Sequence, residues 1–119
     1  MNAPTSGSPL TDGEYHRLAQ QALAAIEATL DRWLQDDVID IDTHRTGGLL
    51  ELAFPDGSKI VLNTQPPLHE LWLAARGGGH HYRWAGGQWR DTKDGSEFFA
   101  ALSAHASAQG GRPLRFEAP

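Results

Sequence analysis

Between Asp12 and Asp42 the chain carries eight carboxylates: Asp12, Glu14, Glu27, Asp31, Asp36, Asp37, Asp40 and Asp42. Only Arg17 and Arg32 oppose them, so this segment has a net charge of −6, whereas the whole chain has −5. Carboxylate oxygens are hard donors that suit ferric iron, and with imidazole nearby they also accept ferrous iron. The same field would steer a basic partner. Glu27 and Asp31 are spaced i, i+4 on a helix, and His16 lies about three turns before Glu27 on the same side. Asp36 and Asp37 fall at the helix exit, and Asp40 and Asp42 on one face of the strand that follows. Donors so solvated and spread out make several weak, labile sites rather than a cage of fixed coordination number. A solvated charged face accounts for the same pattern, and charge alone does not separate the two.

A second group of residues could bind protein. If Ile60 and Leu62 point into a core, alternation sends Val61, Asn63 and Gln65 the other way. If Leu71 and Leu73 point inward, Trp72 joins them on that outer face, and so does His81. A tryptophan flanked by amides is a typical docking anchor, unless a neighbouring loop covers it. His80 and His81 are adjacent in a strand, so they face opposite ways and do not hold one ion together. His80 points inward or sits at a wet strand end. His44, His69 and His105 have no zinc spacing. Gly77–Gly78–Gly79 lacks a phosphate-loop pattern, no nucleophile arrangement is present, and the acids lie on a convex helix rather than in a cleft. No catalytic residue is assigned.

The elements that must position these residues follow from hydrophobic periodicity. Tyr15, Leu18, Ala19, Ala22, Ile26, Leu30 and Trp33 fall on one stripe and predict a helix over Asp12–Gln35, capped by Thr11 or Asp12. Leu23 lies off that stripe. A period of two then predicts strands at Val38–His44, Leu49–Phe54, Lys59–Gln65, His69–Arg76 (with a short helix as the alternative there), His80–Trp84 and around Gln88–Arg90. Turn signals such as Pro55–Asp56–Gly57 and Gly86–Gly87 separate them. A second helix is expected at about Ser96–Ala108, closed by Gly110–Gly111. Leu114 and Phe116 can pack back on the body. This order implies an α+β fold, a two-layer sandwich with both helices on one face of a mainly antiparallel sheet of about six strands.

With 119 residues the chain has room for one core, expected over 12–119 behind a mobile tail at 1–11. It has no cysteine, so it holds no disulfide, thiolate metal site or iron–sulfur ligand. Its acidity argues against nucleic acid. No apolar run approaches a membrane span, and a cytoplasmic location is expected by elimination.

Gly57–Ser58–Lys59–Ile60–Val61–Leu62–Asn63–Thr64–Gln65–Pro66–Pro67–Leu68–His69–Glu70–Leu71–Trp72–Leu73–Ala74 resembles the frataxin family in its bacterial form. So do Gly78–Gly79–His80–His81–Tyr82, Trp89, Asp94–Gly95, Glu14–Tyr15–His16–Arg17–Leu18–Ala19 and Asp40–Ile41–Asp42. The resemblance implies a frataxin-like helix–sheet–helix sandwich. It also implies weak, labile binding of ferrous and ferric iron at Glu27, Asp31, Asp36, Asp40 and Asp42, with His16 contributing and Asp37 adding one acid. The implied partners are the cysteine desulfurase and the scaffold of iron–sulfur cluster assembly, met through Asn63, Gln65 and Trp72, by a monomer with no organic cofactor. Ala28, Arg32, Leu34 and Val38 stand where relatives often carry acids, so a thinner ridge is expected. The leading expectation is a non-enzymatic iron-binding regulator of cluster assembly. A ferroxidase or iron-storage activity, and a pure protein-binding module with incidental metal affinity, are the alternatives.

Overall fold

The computed structural model describes residues 10–119. The tail expected at 1–11 lies outside that range up to residue 9, while Leu10 packs against the core. Helix α1 spans Asp12–Gln35. Thr11, rather than Asp12, caps it: its hydroxyl accepts from the Glu14 N–H at 3.1 Å, and the Glu14 carboxylate accepts from the Thr11 N–H at 2.8 Å. This capping box satisfies two donors reciprocally. The buried face of α1 is wider than a single stripe. Leu23 is fully buried, and Thr29 is buried with its hydroxyl donating to the Ala25 carbonyl at 3.0 Å. The C-terminal segment covers one flank of α1, where the Phe116 ring lies 4.8 Å from that of Trp33.

The exit from α1 is built on an aspartate. Asp37 has φ 55. Its N–H donates to the Leu34 carbonyl at 3.3 Å, and the Val38 N–H donates to Trp33 at 2.8 Å. This is the Schellman arrangement with aspartate where glycine is usual, at a cost of roughly 1 kcal/mol. Asp37→Gly is therefore expected to raise the thermal midpoint by about 4 °C. A lowered midpoint in calorimetry would mean that the Asp37 carboxylate offsets its own strain.

Six strands follow: β1 (Asp42–Thr46), β2 (Leu49–Ala53), β3 (Lys59–Gln65), β4 (Glu70–Ala75), β5 (Gly78–Ala85) and β6 (Gln88–Asp91). Each pairs antiparallel with its neighbour in chain order, because the connections are too short for a crossover. Gly86 and Gly87 both have positive φ, as the tight β5–β6 turn requires. The first strand differs from expectation. Residues 38–41 are unpaired and β1 begins at Asp42. The cause lies in β2, which ends at Ala53 before the Phe54–Ser58 turn and so offers no ladder partner further along. Asp40 therefore precedes the strand rather than standing in it.

Helix α2 spans Phe98–Gly110, starts where the Glu97 carboxylate accepts from the Phe99 and Ala100 N–H groups, and ends at Gly111 with φ 70. The inner sheet face (Leu50, Leu52, Ile60, Leu62, Leu71, Leu73, Tyr82 and Trp89) forms one buried cluster with residues of both helices. Leu114 and Phe116 are buried as expected. The Ser107 and Ser103 hydroxyls tie their backbone along α2. The result is the expected α+β sandwich of two helices on one face of an open antiparallel sheet, whose other face no helix among the described residues covers.

Candidate functional site

Two surfaces carry the residues singled out by the sequence. The first is the acidic edge made by α1, its exit and β1. His16, Asp31, Asp36, Asp37, Asp40 and Asp42 are all exposed. None of these aspartates takes part in an ion pair among the described residues. Glu27 is different. The Arg45 guanidinium, reaching across from β1, donates to the carboxylate of Glu27 and to the side chain of Gln20. Arg112 reaches the same edge, donating to the Val38 carbonyl. The edge is thus interrupted by Arg32, Arg45 and Arg112, with Leu34 half exposed among them. Among the described residues no three His, Asp or Glu side chains are disposed to hold one ion. Exposed single carboxylates fit an iron ion held loosely, with water completing its shell.

The second surface is the uncovered sheet face. Asn63, Trp72 and His81 stand in one row, opposite one another in the ladder. The Trp72 and His81 rings stack, with centroids 4.0 Å apart and planes 5° apart. What covers a side of Trp72 is His81 rather than a loop. The indole N–H donates to Glu70 Oε1 at 2.8 Å, and Arg83 Nε donates to Glu70 Oε2 at 2.7 Å. Glu70 is only 4% exposed, so its charge stays buried because both oxygens are occupied. The row borders a shallow depression lined by Val61, Asn63, Ala74 and Gly79. Gln65 lies at the end of β3, paired with Glu70.

This fold has known counterparts. A sequence model of the frataxin-like domain matches residues 8–112. The chain is 53% identical over 110 residues to the iron–sulfur cluster assembly protein CyaY of Polaromonas sp. (strain JS666 / ATCC BAA-500), covering 92% of this chain and 95% of that one. It is 50% identical over 109 residues to the protein of the same name from Paraburkholderia xenovorans (strain LB400), covering 92% and 100%. The chain belongs to the frataxin family. Among solved structures, frataxin from Psychromonas ingrahamii superposes with a TM-score of 0.81 at 35% identity, over 91% of this chain and 99% of that one. A trimeric yeast frataxin from Saccharomyces cerevisiae, complexed with ferrous iron, shares the fold at a TM-score of 0.67 and 23% identity, over 79% and 86%.

The residues of these two surfaces that sequence reasoning missed are Glu70, Arg83 and Arg45. The first two were within reach. Glu70 stands two before Trp72 and Arg83 two after His81, so period-two alternation puts all four on one face. Arg45 was not, because its partners lie in α1, far away along the chain. The remaining histidines are assigned to neither surface, although His44 stands on β1 with Asp42. His69 pairs with Asp12 at 2.7 Å and stacks on Tyr15. His44 is exposed on β1. His80 points to the inner side at a half-exposed strand end. Among the described residues no helix is long and apolar enough to cross a membrane.

Proposed function

We propose that this chain regulates iron–sulfur cluster assembly as a non-enzymatic monomeric adaptor. It docks through Asn63, Gln65, Trp72 and His81 on the desulfurase–scaffold complex. It carries iron loosely on Asp31, Asp36, Asp37, Asp40 and Asp42, with Glu27 and His16 at the margin. The observation that carries this reading is the Trp72 row. A large aromatic is held flat on a sheet face that no helix among the described residues covers, by a buried carboxylate and a stacked imidazole. Pre-ordering of this kind lowers the entropic cost of docking, and a structural role for Trp72 would have placed it on the inner face. The names of the relatives supply the pathway, and the acidic edge supplies the field for a basic partner. Asp37, kept at a position that favours glycine, is strain of the kind retained where charge is useful.

The test is cluster-assembly kinetics with desulfurase and scaffold, with and without this protein, across iron concentrations. A rate change that depends on iron is expected. In parallel, Fe2+ should broaden the amide signals of Asp31 and Asp36–Asp42 at substoichiometric ratios, and those around Glu27 less, because Arg45 already occupies it. Broadening confined to His80 and His81 would sink the assignment of the edge. A second reading, docking with incidental metal affinity, is favoured by the absence of any three-ligand cluster among the described residues. It predicts a rate change that ignores iron.

A further inference from the structure

Away from both surfaces, the end of the inner face brings together His80 of β5, Asp91 of β6 and His105 of α2. The His80 and His105 ring centroids are 5.5 Å apart. Two imidazoles that bind one tetrahedral ion at about 2.0–2.1 Å place their centroids roughly 5 Å apart, so the two rings are spaced for a shared ion. Asp91 is buried, and its Oδ1 accepts from the Lys93 and Asp94 N–H groups at 2.7 and 3.4 Å. Its Oδ2 lies 3.1 Å from His80 Nδ1. A carboxylate can only accept, so Nδ1 carries a proton, and in the neutral imidazole the Nε2 lone pair is then free. A buried carboxylate that fixes the far nitrogen in this way is the arrangement that orients metal-binding histidines. His105 is half-buried beside Gly77, where an added Cβ would come within 3.1 Å of its Cε1 and Nδ1. Gly77 thus leaves close-fitting room for the ring, and no hydrogen bond among the described residues holds it.

We infer that His80 and His105 form a two-imidazole site for a borderline divalent transition ion of the Zn2+ class, oriented by Asp91 and distinct from the carboxylate edge. Imidazole suits such ions, whereas the edge offers only hard oxygens. With two protein ligands, water fills the remaining positions and binding is modest.

The test is a Zn2+ titration of the full chain, followed through the imidazole nitrogens by NMR. Saturable shifts of the His80 and His105 rings are expected, while the amides of Asp31 and Asp36–Asp42 report the edge separately. His105→Gln should abolish the His80 shift, and Asp91→Asn should weaken the site about tenfold. Asp91→Asn also touches a turn, so His105→Gln, on the surface of a helix that tolerates glutamine, carries the decision. The inference is overturned if Zn2+ moves His16, His44 or His69 and leaves His80 and His105 still. It is equally overturned if His105→Gln leaves the His80 shift and its midpoint unchanged. Neither outcome bears on iron at the edge.

Discussion

Trp72→Ala is expected to weaken binding to the desulfurase–scaffold complex by about thirtyfold while the domain stays folded. The size follows from interface energetics, in which truncating a central tryptophan costs at least about 2 kcal/mol. The fold should survive because Trp72 faces away from the core, and Leu71 and Leu73 on either side of it carry the packing of β4. The ladder rung to Asn63 and His81 is backbone and remains. Glu70 loses one donor but keeps Arg83. Glu70→Gln separates orientation from contact. It retains an oxygen for the indole and removes the charge that faces Arg83, so a smaller loss of affinity is expected. Calorimetric titration reads the affinity, and circular dichroism reads the fold. An unchanged Kd for Trp72→Ala would remove the sheet face from the docking surface, and an unfolded variant would make Trp72 a structural residue.

The reach of sequence reasoning here divides along contact range. Hydrophobic period gave α1, the β3 and β4 segments, and the outer placement of Trp72 and His81, because each depends on neighbours a few positions away. Where it fell short, a distant partner decided. Residues 38–41 alternate like a strand, yet β2 turns away at Phe54 and leaves them nothing to pair with. Leu23 lies off the apolar stripe, yet the flank it occupies is buried in the folded domain. The acidic edge was legible as charge but not as spacing between opposite charges. Arg45 reads as an ordinary strand residue until β1 is laid beside α1, when it meets Glu27. His80, His105 and Asp91 have no spacing signature at all, since three different elements supply them. The edge is thus weaker than its carboxylate count, and the uncovered sheet face is more organised than its composition.

Two buried tyrosines predict opposite outcomes for the same substitution. Tyr15→Phe is expected to destabilise the domain by roughly 2 kcal/mol, a fall of about 8 °C in the thermal midpoint. The Tyr15 hydroxyl donates to the Glu70 carbonyl at 2.7 Å and accepts from the Gln65 N–H at 3.0 Å. Gln65 and Glu70 are the last paired residues of β3 and β4 before the Pro66–Leu68 turn, so removing the hydroxyl strands a donor and an acceptor together. Both groups belong to residues of the sheet face, so the variant should also loosen Trp72 through Glu70 and cost some partner affinity. Tyr82 is as deeply buried, but its hydroxyl has no hydrogen-bond partner among the described residues. Burial, aided by the nearby Asp91, Asp94 and Glu97 carboxylates, pushes its pKa well above the ordinary tyrosine value. Tyr82→Phe removes a desolvated group while keeping the ring that meets Phe98 edge-on at 5.1 Å. A neutral or raised midpoint is therefore expected. Paired thermal melts decide it: an equal loss for Tyr82→Phe would mean that its hydroxyl is hydrogen-bonded in the folded protein, as that of Tyr15 is.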